Sequence, residues 1–256
     1  MTQHEHSVSC DVVLCIDGTR GMRSCIDSVK ARAKSVPDML IDAFDQHMQR
    51  PVGQFRARVI VFRDYARDGG HAMVESDFFD LNDPLQLEAF RRFVDGIEPS
   101  GKSMHSNALE AIVLALRSKW DHTNRIRRHA IFVFTNSAVL PLQDPRRCRA
   151  AHYPPNMPRN LQELEELVER GDQETAPAYS PNRTRLLVQA PLSAASQKSG
   201  LLRALFTPFA RRHKASADIW NTVKQWWYTW VYDISPDHPD AALETENAMA
   251  VLAGDF

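Results

Sequence analysis

The sequence predicts an α/β fold, with a doubly wound, mostly parallel sheet flanked by helices. Val8–Asp17, Arg56–Phe62, His129–Phe134 and Arg185–Ala190 are short, apolar, β-branched runs with little strict alternation. That is the pattern of strands buried on both faces. Segments with apolar residues at helical spacing separate them, and strand–helix alternation builds parallel sheets. The first three runs end in polar residues: Asp17, then Arg63-Asp64-Tyr65, then Thr135-Asn136-Ser137. In open parallel sheets ligands bind beyond the carboxyl ends of the strands.

Taken in order, Val8–Asp17 is the first strand, and Gly18, Thr19 and Gly21 form a turn. Met22, Ile26, Val29, Val36, Met39, Leu40, Ala43 and Phe44 then mark a long helix, and Pro37 predicts a kink or break within it. Arg56–Phe62 is the second strand, and His71–Leu81 alternates as a short strand. Asp83–Ile97 is amphipathic, with Leu87, Phe90, Phe93, Val94 and Ile97 at helical spacing. Ser100–Ser106 is a loop, Asn107–Trp120 a helix and His129–Phe134 a strand. A Pro-rich stretch, 141–158, leads to an acidic helix over Asn160–Arg170. After Arg185–Ala190, the basic segment 196–214 reads as a surface insertion. Ser216–Trp227 is helical, Tyr228–Ile234 a last strand and Asp240–Leu252 a closing helix. Residues 1–235 are therefore expected to form one domain, and 236–256 an acidic helical extension.

The chain has 256 residues, 43% hydrophobic and 25% charged, which excludes disordered and collagen-like classes. At this length roughly 70–75% of the unfolded surface is buried, so no disulfide or metal is needed to hold a core. Lys plus Arg total 31 and Asp plus Glu 32, a net charge of −1. A dedicated nucleic-acid binder is usually basic. Cys10, Cys15, Cys25 and Cys148 fit no CxxC metal pattern. No basic-then-apolar leader opens the sequence, and no apolar run reaches the ~18 residues of a membrane span. The cytoplasm is the expected compartment, with no membrane partner. No HExxH and no GxSxG elbow occurs.

Asp17-Gly18-Thr19-Arg20-Gly21 follows a buried strand and opens a helix. It resembles the metal-ion-dependent adhesion site of the von Willebrand factor A (VWA) family, where the first strand ends in Asp-x-Ser/Thr-x-Ser. VIVFRDY (Val59–Tyr65), IEPSGKSMHSNALEAI (Ile97–Ile112) and HAIFVFTNSA (His129–Ala138) look like the second strand, the Gly-Gly-Gly-Asp-x-Pro-Glu loop with its helix, and the Thr-Asp-Ala strand of one subgroup. YPPNMPRNLQELEELVE (Tyr153–Glu169) and RLLVQAP (Arg185–Pro191) also match the bacterial subgroup in order and spacing. The resemblance covers most of residues 8–235. It implies a Rossmann-like VWA fold and a non-enzymatic adaptor that binds protein partners. For the bacterial subgroup it implies a stress-response or conflict system.

Such a site holds a hard divalent cation such as Mg2+ through oxygen ligands and waters. Here Asp17 and Thr19 fit the pattern, Gly21 replaces the second hydroxyl, Ser103 stands in the second motif and Asn136 replaces the second aspartate. One carboxylate remains, so the resemblance implies a degenerate site at Asp17, Thr19, Ser103 and Asn136, with no cofactor or only weak Mg2+. The partner-binding edge expected from the motifs is Asp17, Thr19, Arg20, Asp64, Tyr65, Lys102, Ser103 and Asn136. The ammonium of Lys102 is a candidate to replace the cation's charge by pairing with Asp17.

Two further patterns carry alternatives. Gly96–Ser103 matches G-x-x-x-x-G-K-[ST], a phosphate-cradling P-loop and the enzymatic alternative, a P-loop NTPase. That motif needs a buried strand before it, and EAFRRFVDG reads as helix. Arg125, Arg127, Arg128, Arg146, Arg147, Arg149 and Arg159 accompany a single acid, Asp144. This block is expected to flank the binding edge, and could serve a phosphate or nucleic-acid module. Trp220, Trp226, Trp227 and Trp230 are either core packing or an exposed aromatic patch.

Overall fold

The structure is a computed structural model that describes residues 7–48, 51–171, 180–190, 207–226 and 229–233. Its first strand, β1 (Val8–Asp17), is buried at all ten residues. The absence of alternation in its sequence has a topological cause, because β1 lies between β2 (Val52–Phe62) and β6 (Arg127–Phe134) and is parallel to both. Val12 faces Ala57 on one side and Ala130 on the other. β8 (Thr184–Ala190) pairs in parallel with β6, and β9 (Thr229–Asp233) with β8. Two short strands, β3 (Met73–Glu75) and β4 (Phe79–Asp80), pair antiparallel with the outer side of β2. The strand order is β3-β2-β1-β6-β8-β9, with β4 also on β2; β5 (His105–Ser106) and β7 (Ala138–Val139) form a separate parallel pair.

Helices cover both faces. On one face, α1 (Ile26–Met48) and α3 (Pro84–Asp95) pack Val29, Val36, Leu40, Phe44, Phe90 and Val94 against Val12, Leu14 and Ile16. The opposite face carries α4 (Ala108–Leu116), α5 (Leu161–Arg170) and α6 (Thr207–Val223). There Leu109, Ile112, Leu164 and Trp220 meet Val13, Cys15, Ile131 and Val188. The odd-numbered and even-numbered residues of β1 thus feed separate cores, as period-2 alternation of side chains requires. Cys10 and Cys15 are free, buried core thiols.

The sequence boundaries need correction in five places. Pro37 does not break α1, which is one helix from Ile26 to Met48. β2 starts at Val52, four residues early, because its first residues already pair in parallel with β1 from Val8 onward. His71–Leu81 gives two strands, not one. α4 stops at Leu116, and the Trp120 indole N–H donates to its carbonyl at 2.9 Å in the turn that follows. α6 starts at Thr207, inside the segment read as a basic insertion; 191–206 and the acidic extension 236–256 lie outside the described residues. Trp220 and Trp226 are buried, which is the core reading; Trp227 lies outside the described residues. No helix among the described residues is long and apolar enough to cross a membrane.

Candidate functional site

The carboxyl ends of β1, β2 and β6, with the loop between α3 and α4, carry the predicted residues, and the structure sorts the buried ones into two groups. The first is centred on Asp17, which is fully buried. Its Oδ1 accepts from the Thr19 backbone N–H at 2.8 Å, and its Oδ2 accepts from the Thr135 hydroxyl at 2.7 Å. Thr19 Oγ1 and Ser137 Oγ lie 2.5 Å apart, and the Ser137 N–H donates to Thr135 Oγ1 at 3.3 Å. All four side chains are at most 2% exposed. Burial pushes the Asp17 carboxyl up, against the pull of its hydrogen bonds from Thr19, Thr135 and Ser137.

Gly21 explains how the ring closes. A Cβ there would stand 2.5 Å from Ser137 Oγ. The space a side chain at position 21 would enter is filled by the Ser137 hydroxyl. Asn136, half-buried, donates through Nδ2 to the Gly21 carbonyl at 3.3 Å. Sequence reasoning missed Ser137 and Thr135; the available signal was a pair of hydroxyls at the end of the third strand.

The second group is centred on Asp64. It caps the short helix α2 (Tyr65–Asp68), accepting from the Ala66 N–H at 3.0 Å. It also accepts from Arg147 Nε at 3.0 Å, in an ion pair whose side chains are 6% and 1% exposed. Burial works to raise the Asp64 carboxyl, but the charge of Arg147 and hydrogen bonds from Ser103, Arg147 and Ala66 outweigh it and hold it below the usual range. Ser103 therefore serves Asp64, not Asp17. Tyr65 is buried, with its N–H on Asn107 Oδ1 at 2.9 Å and its ring edge-on to Tyr153. The Tyr153 hydroxyl donates to Glu110 at 3.0 Å, and burial raises the Glu110 carboxyl despite the nearby Arg147 charge. Arg147 Nη2, Glu110 Oε2 and Ser106 Oγ have no partner in this packed cluster. An arginine from the Pro-rich stretch thus penetrates the core, which nothing in its spacing announced.

Arg63 ties the loops together. Its guanidinium donates to the carbonyls of Gly18 (3.0 Å), His71 (3.2 Å) and Glu98 (3.2 Å). Gly18 has no Cβ to obstruct this approach; one would lie 2.8 Å from Val61 and 2.9 Å from Arg63.

Lys102 does not pair with Asp17. It is exposed, Asp17 is fully buried, and no ion pair joins them among the described residues. Arg20 is also exposed. A hard cation needs several oxygen ligands, preferably charged. Here both oxygens of the one carboxylate accept internal hydrogen bonds, the two hydroxyls bond each other, Asn136 offers an amide and Ser103 is committed elsewhere. As folded, the donor set does not fit such an ion. Among the described residues no group of three His, Cys, Asp or Glu could hold a metal either.

The P-loop match fails structurally as well. Helix α3, not a strand, precedes Gly96. The loop amides are engaged: Ser100 N donates to Gly18 O at 2.9 Å and Lys102 N to Asp68 Oδ1 at 3.1 Å. The arginine block is dispersed, not one patch flanking the edge. Arg127 and Arg128 start β6, at the opposite end of that strand from Asn136. Arg146 pairs with Asp144 at 2.9 Å, Arg159 pairs with Glu163, and Arg147 is buried.

The sequence matches no protein-family model and no curated protein. Solved structures do match. The pilus adhesin SpaC from Lactobacillus rhamnosus GG, in an open conformation, aligns over 96% of this chain at 10% identity with a TM-score of 0.50. Proximal thread matrix protein 1 from the mussel byssus, with a zinc-occupied MIDAS motif, aligns over 98% at 10% identity with a TM-score of 0.43. The chain spans 30% of the length of the first and 47% of the second. Its mostly parallel sheet with helices on both faces, together with the likeness to SpaC, gives the chain a von Willebrand factor A-like, Rossmann-type fold.

Proposed function

We propose that this chain is a non-enzymatic protein-interaction domain that docks an acidic protein surface at the carboxyl edge of its sheet without a cation. The observation that carries the reading is the division of labour at that edge. Asp17, Thr19, Thr135 and Ser137 satisfy one another internally, and Asp64 is neutralised by Arg147. The exposed groups at this edge include the cations Arg20 and Lys102 and the 52% exposed Met104, alongside Glu98 and Ser100. Arg20, at the start of a 3-10 turn, and Lys102, in the loop before α4, sit on segments held together by a backbone bridge between Thr19 and Ser100. Cations on the rim steer association and select partners, and an exposed apolar side chain two residues beyond Lys102 supplies contact area. By its resemblance to the bacterial VWA subgroup, we place the chain in a stress-response or conflict system, in the cytoplasm.

Affinity purification from the native host tests this, comparing wild type with Arg20→Glu/Lys102→Glu. The double charge reversal loses the partners that wild type retains, and a chelator wash leaves wild-type capture intact. Capture of the same partners by both proteins would show that they bind elsewhere.

A further inference from the structure

We infer that the amino end of the sheet, opposite the docking edge, carries an oxyanion site for a phosphate group, built from Arg125, Arg127 and Arg183. Arg127 opens β6, and Arg183 ends the single 3-10 turn (Pro181–Arg183) that leads into β8. In the pairing of β6 with β8, His129 faces Thr184, so Arg183 comes to the level of the first residues of β6. The two guanidinium groups rest on successive carbonyls of one loop. Arg127 Nη1 donates to Asn124 O at 3.0 Å, and Arg183 Nη1 to Arg125 O at 3.1 Å. That loop is pinned to β1 and its approach. Asn124 accepts from the Ile126 N–H at 3.0 Å and donates to the Ser7 carbonyl at 3.2 Å, and the Ser9 N–H donates to Ile126 O at 2.9 Å. A site held this way loses little freedom when it binds.

What the cluster lacks is a counter-charge. Among the described residues no ion pair reaches Arg125, Arg127 or Arg183. The sequence has no acid over 122–143 or over 180–190. Asp121 acts on Arg127, but its carboxylate is taken by the hydroxyls of Ser9 at 3.1 Å and Thr123 at 2.7 Å. Arg127 Nε is buried and has no acceptor among the described residues. Burial and the charge of Arg183 both work against the Arg127 cation. Folding therefore holds two like charges together on neutral carbonyls, a cost that a bound anion offsets. A guanidinium is a planar fork of five N–H donors that meets a phosphate at two points, and one carbonyl contact leaves most of those donors over. The exposed Arg125 adds a third cation on the same loop. A phosphate group brings about −1.5 to −2 charge and three acceptor oxygens, which suits three arginines better than a single carboxylate does.

The experiment is calorimetric titration and thermal unfolding of the full chain with inorganic phosphate, with sodium chloride at matched ionic strength as the control. Each variant is first checked for its fold by circular dichroism. Phosphate binds wild type saturably and raises its melting temperature, as a ligand of the folded state does, and chloride does not reproduce the shift. Arg127→Gln and Arg183→Gln each weaken the binding at least about tenfold, the share of one charge-assisted contact. Arg92→Gln removes a charge from α3, where the side chain is 73% exposed, and leaves the binding unchanged. Glycerol 3-phosphate separates two sources of the group: binding as tight as that of phosphate identifies a phosphate carried on a larger ligand, and failure to bind identifies the free ion. Should Arg127→Gln lose its fold, Arg183→Gln, which lies outside the strands, decides alone. The inference is overturned if phosphate does no more than chloride, if the arginine variants leave the affinity unchanged, or if Arg92→Gln weakens it as much as they do.

Discussion

Replacing Arg147 by methionine leaves a buried carboxylate without its counter-charge. The Arg147 and Asp64 side chains are 1% and 6% exposed, and the Nε–Oδ1 distance is 3.0 Å. Methionine fills much of the same volume, so the loss is dominated by charge. Breaking a buried pair by removing one partner costs about 3–5 kcal/mol. For a chain of this size 1 kcal/mol moves the melting temperature by about 2–4 °C, so a fall of about 6–20 °C is expected by calorimetry or circular dichroism. The pair Asp64→Asn/Arg147→Met removes both charges and should lose much less than the sum of the single changes, since contacting residues couple. pH gives a further check. The Asp64 carboxyl is held below its ordinary range in the folded chain, so its contribution is present above the unfolded value, about 3.9, and is lost as pH falls through the folded value. The gap between wild type and Arg147→Met should therefore narrow in acid. A loss below about 1 kcal/mol, or additive single changes, would refute the view that this pair secures the loop.

Glu110 gives the opposite sign. Its folded carboxyl is raised by burial, so folding takes up a proton and stability is lost as pH rises through the folded value. Glu110→Gln should raise the melting temperature near pH 8, with the gain shrinking toward the ordinary glutamate range, about 4.3; an unchanged gap across that range would count against it. Gly18→Ala forces a methyl within 2.8 Å of Val61 and 2.9 Å of Arg63 and should cost about 1–3 kcal/mol in chemical denaturation. A labelled ATP analogue should show no saturable binding to wild type, and Lys102→Ala should leave both that result and the melting temperature unchanged. Saturable binding abolished by Lys102→Ala would revive the P-loop.

The strands and the edge they build were legible because burial on both faces leaves a mark in composition. β1 has its sequence boundaries to the residue, and Asp17 stands at its end as the apolar run implied. The partition of the edge was not legible. Sequence order puts Ser103 next to Lys102 and both in one motif, yet Ser103 turns inward to Asp64 while Lys102 faces solvent. The sequence makes Arg147 one member of an arginine block flanking the edge, since charged side chains are usually exposed. Its burial depends on the loop folding back onto the end of β2, a contact between residues 83 positions apart. Thr19 and Ser137 meet across 118 positions, so a motif read as a local string could count only the hydroxyl it had lost.

The place of β1 in the sheet also sets a timetable for synthesis. This fully buried, largely apolar strand is made before both of its neighbours, and β2 follows within a few dozen residues. Its other neighbour starts at Arg127, about 110 residues later, roughly 5–20 s at about 5–20 residues per second. Until then one side of β1 is an open, hydrophobic hydrogen-bonding edge, the kind that recruits other chains. Fragments that end before Arg127 should therefore collect in inclusion bodies or on holdase chaperones, and fragments that extend through Phe134 should be the shortest to escape.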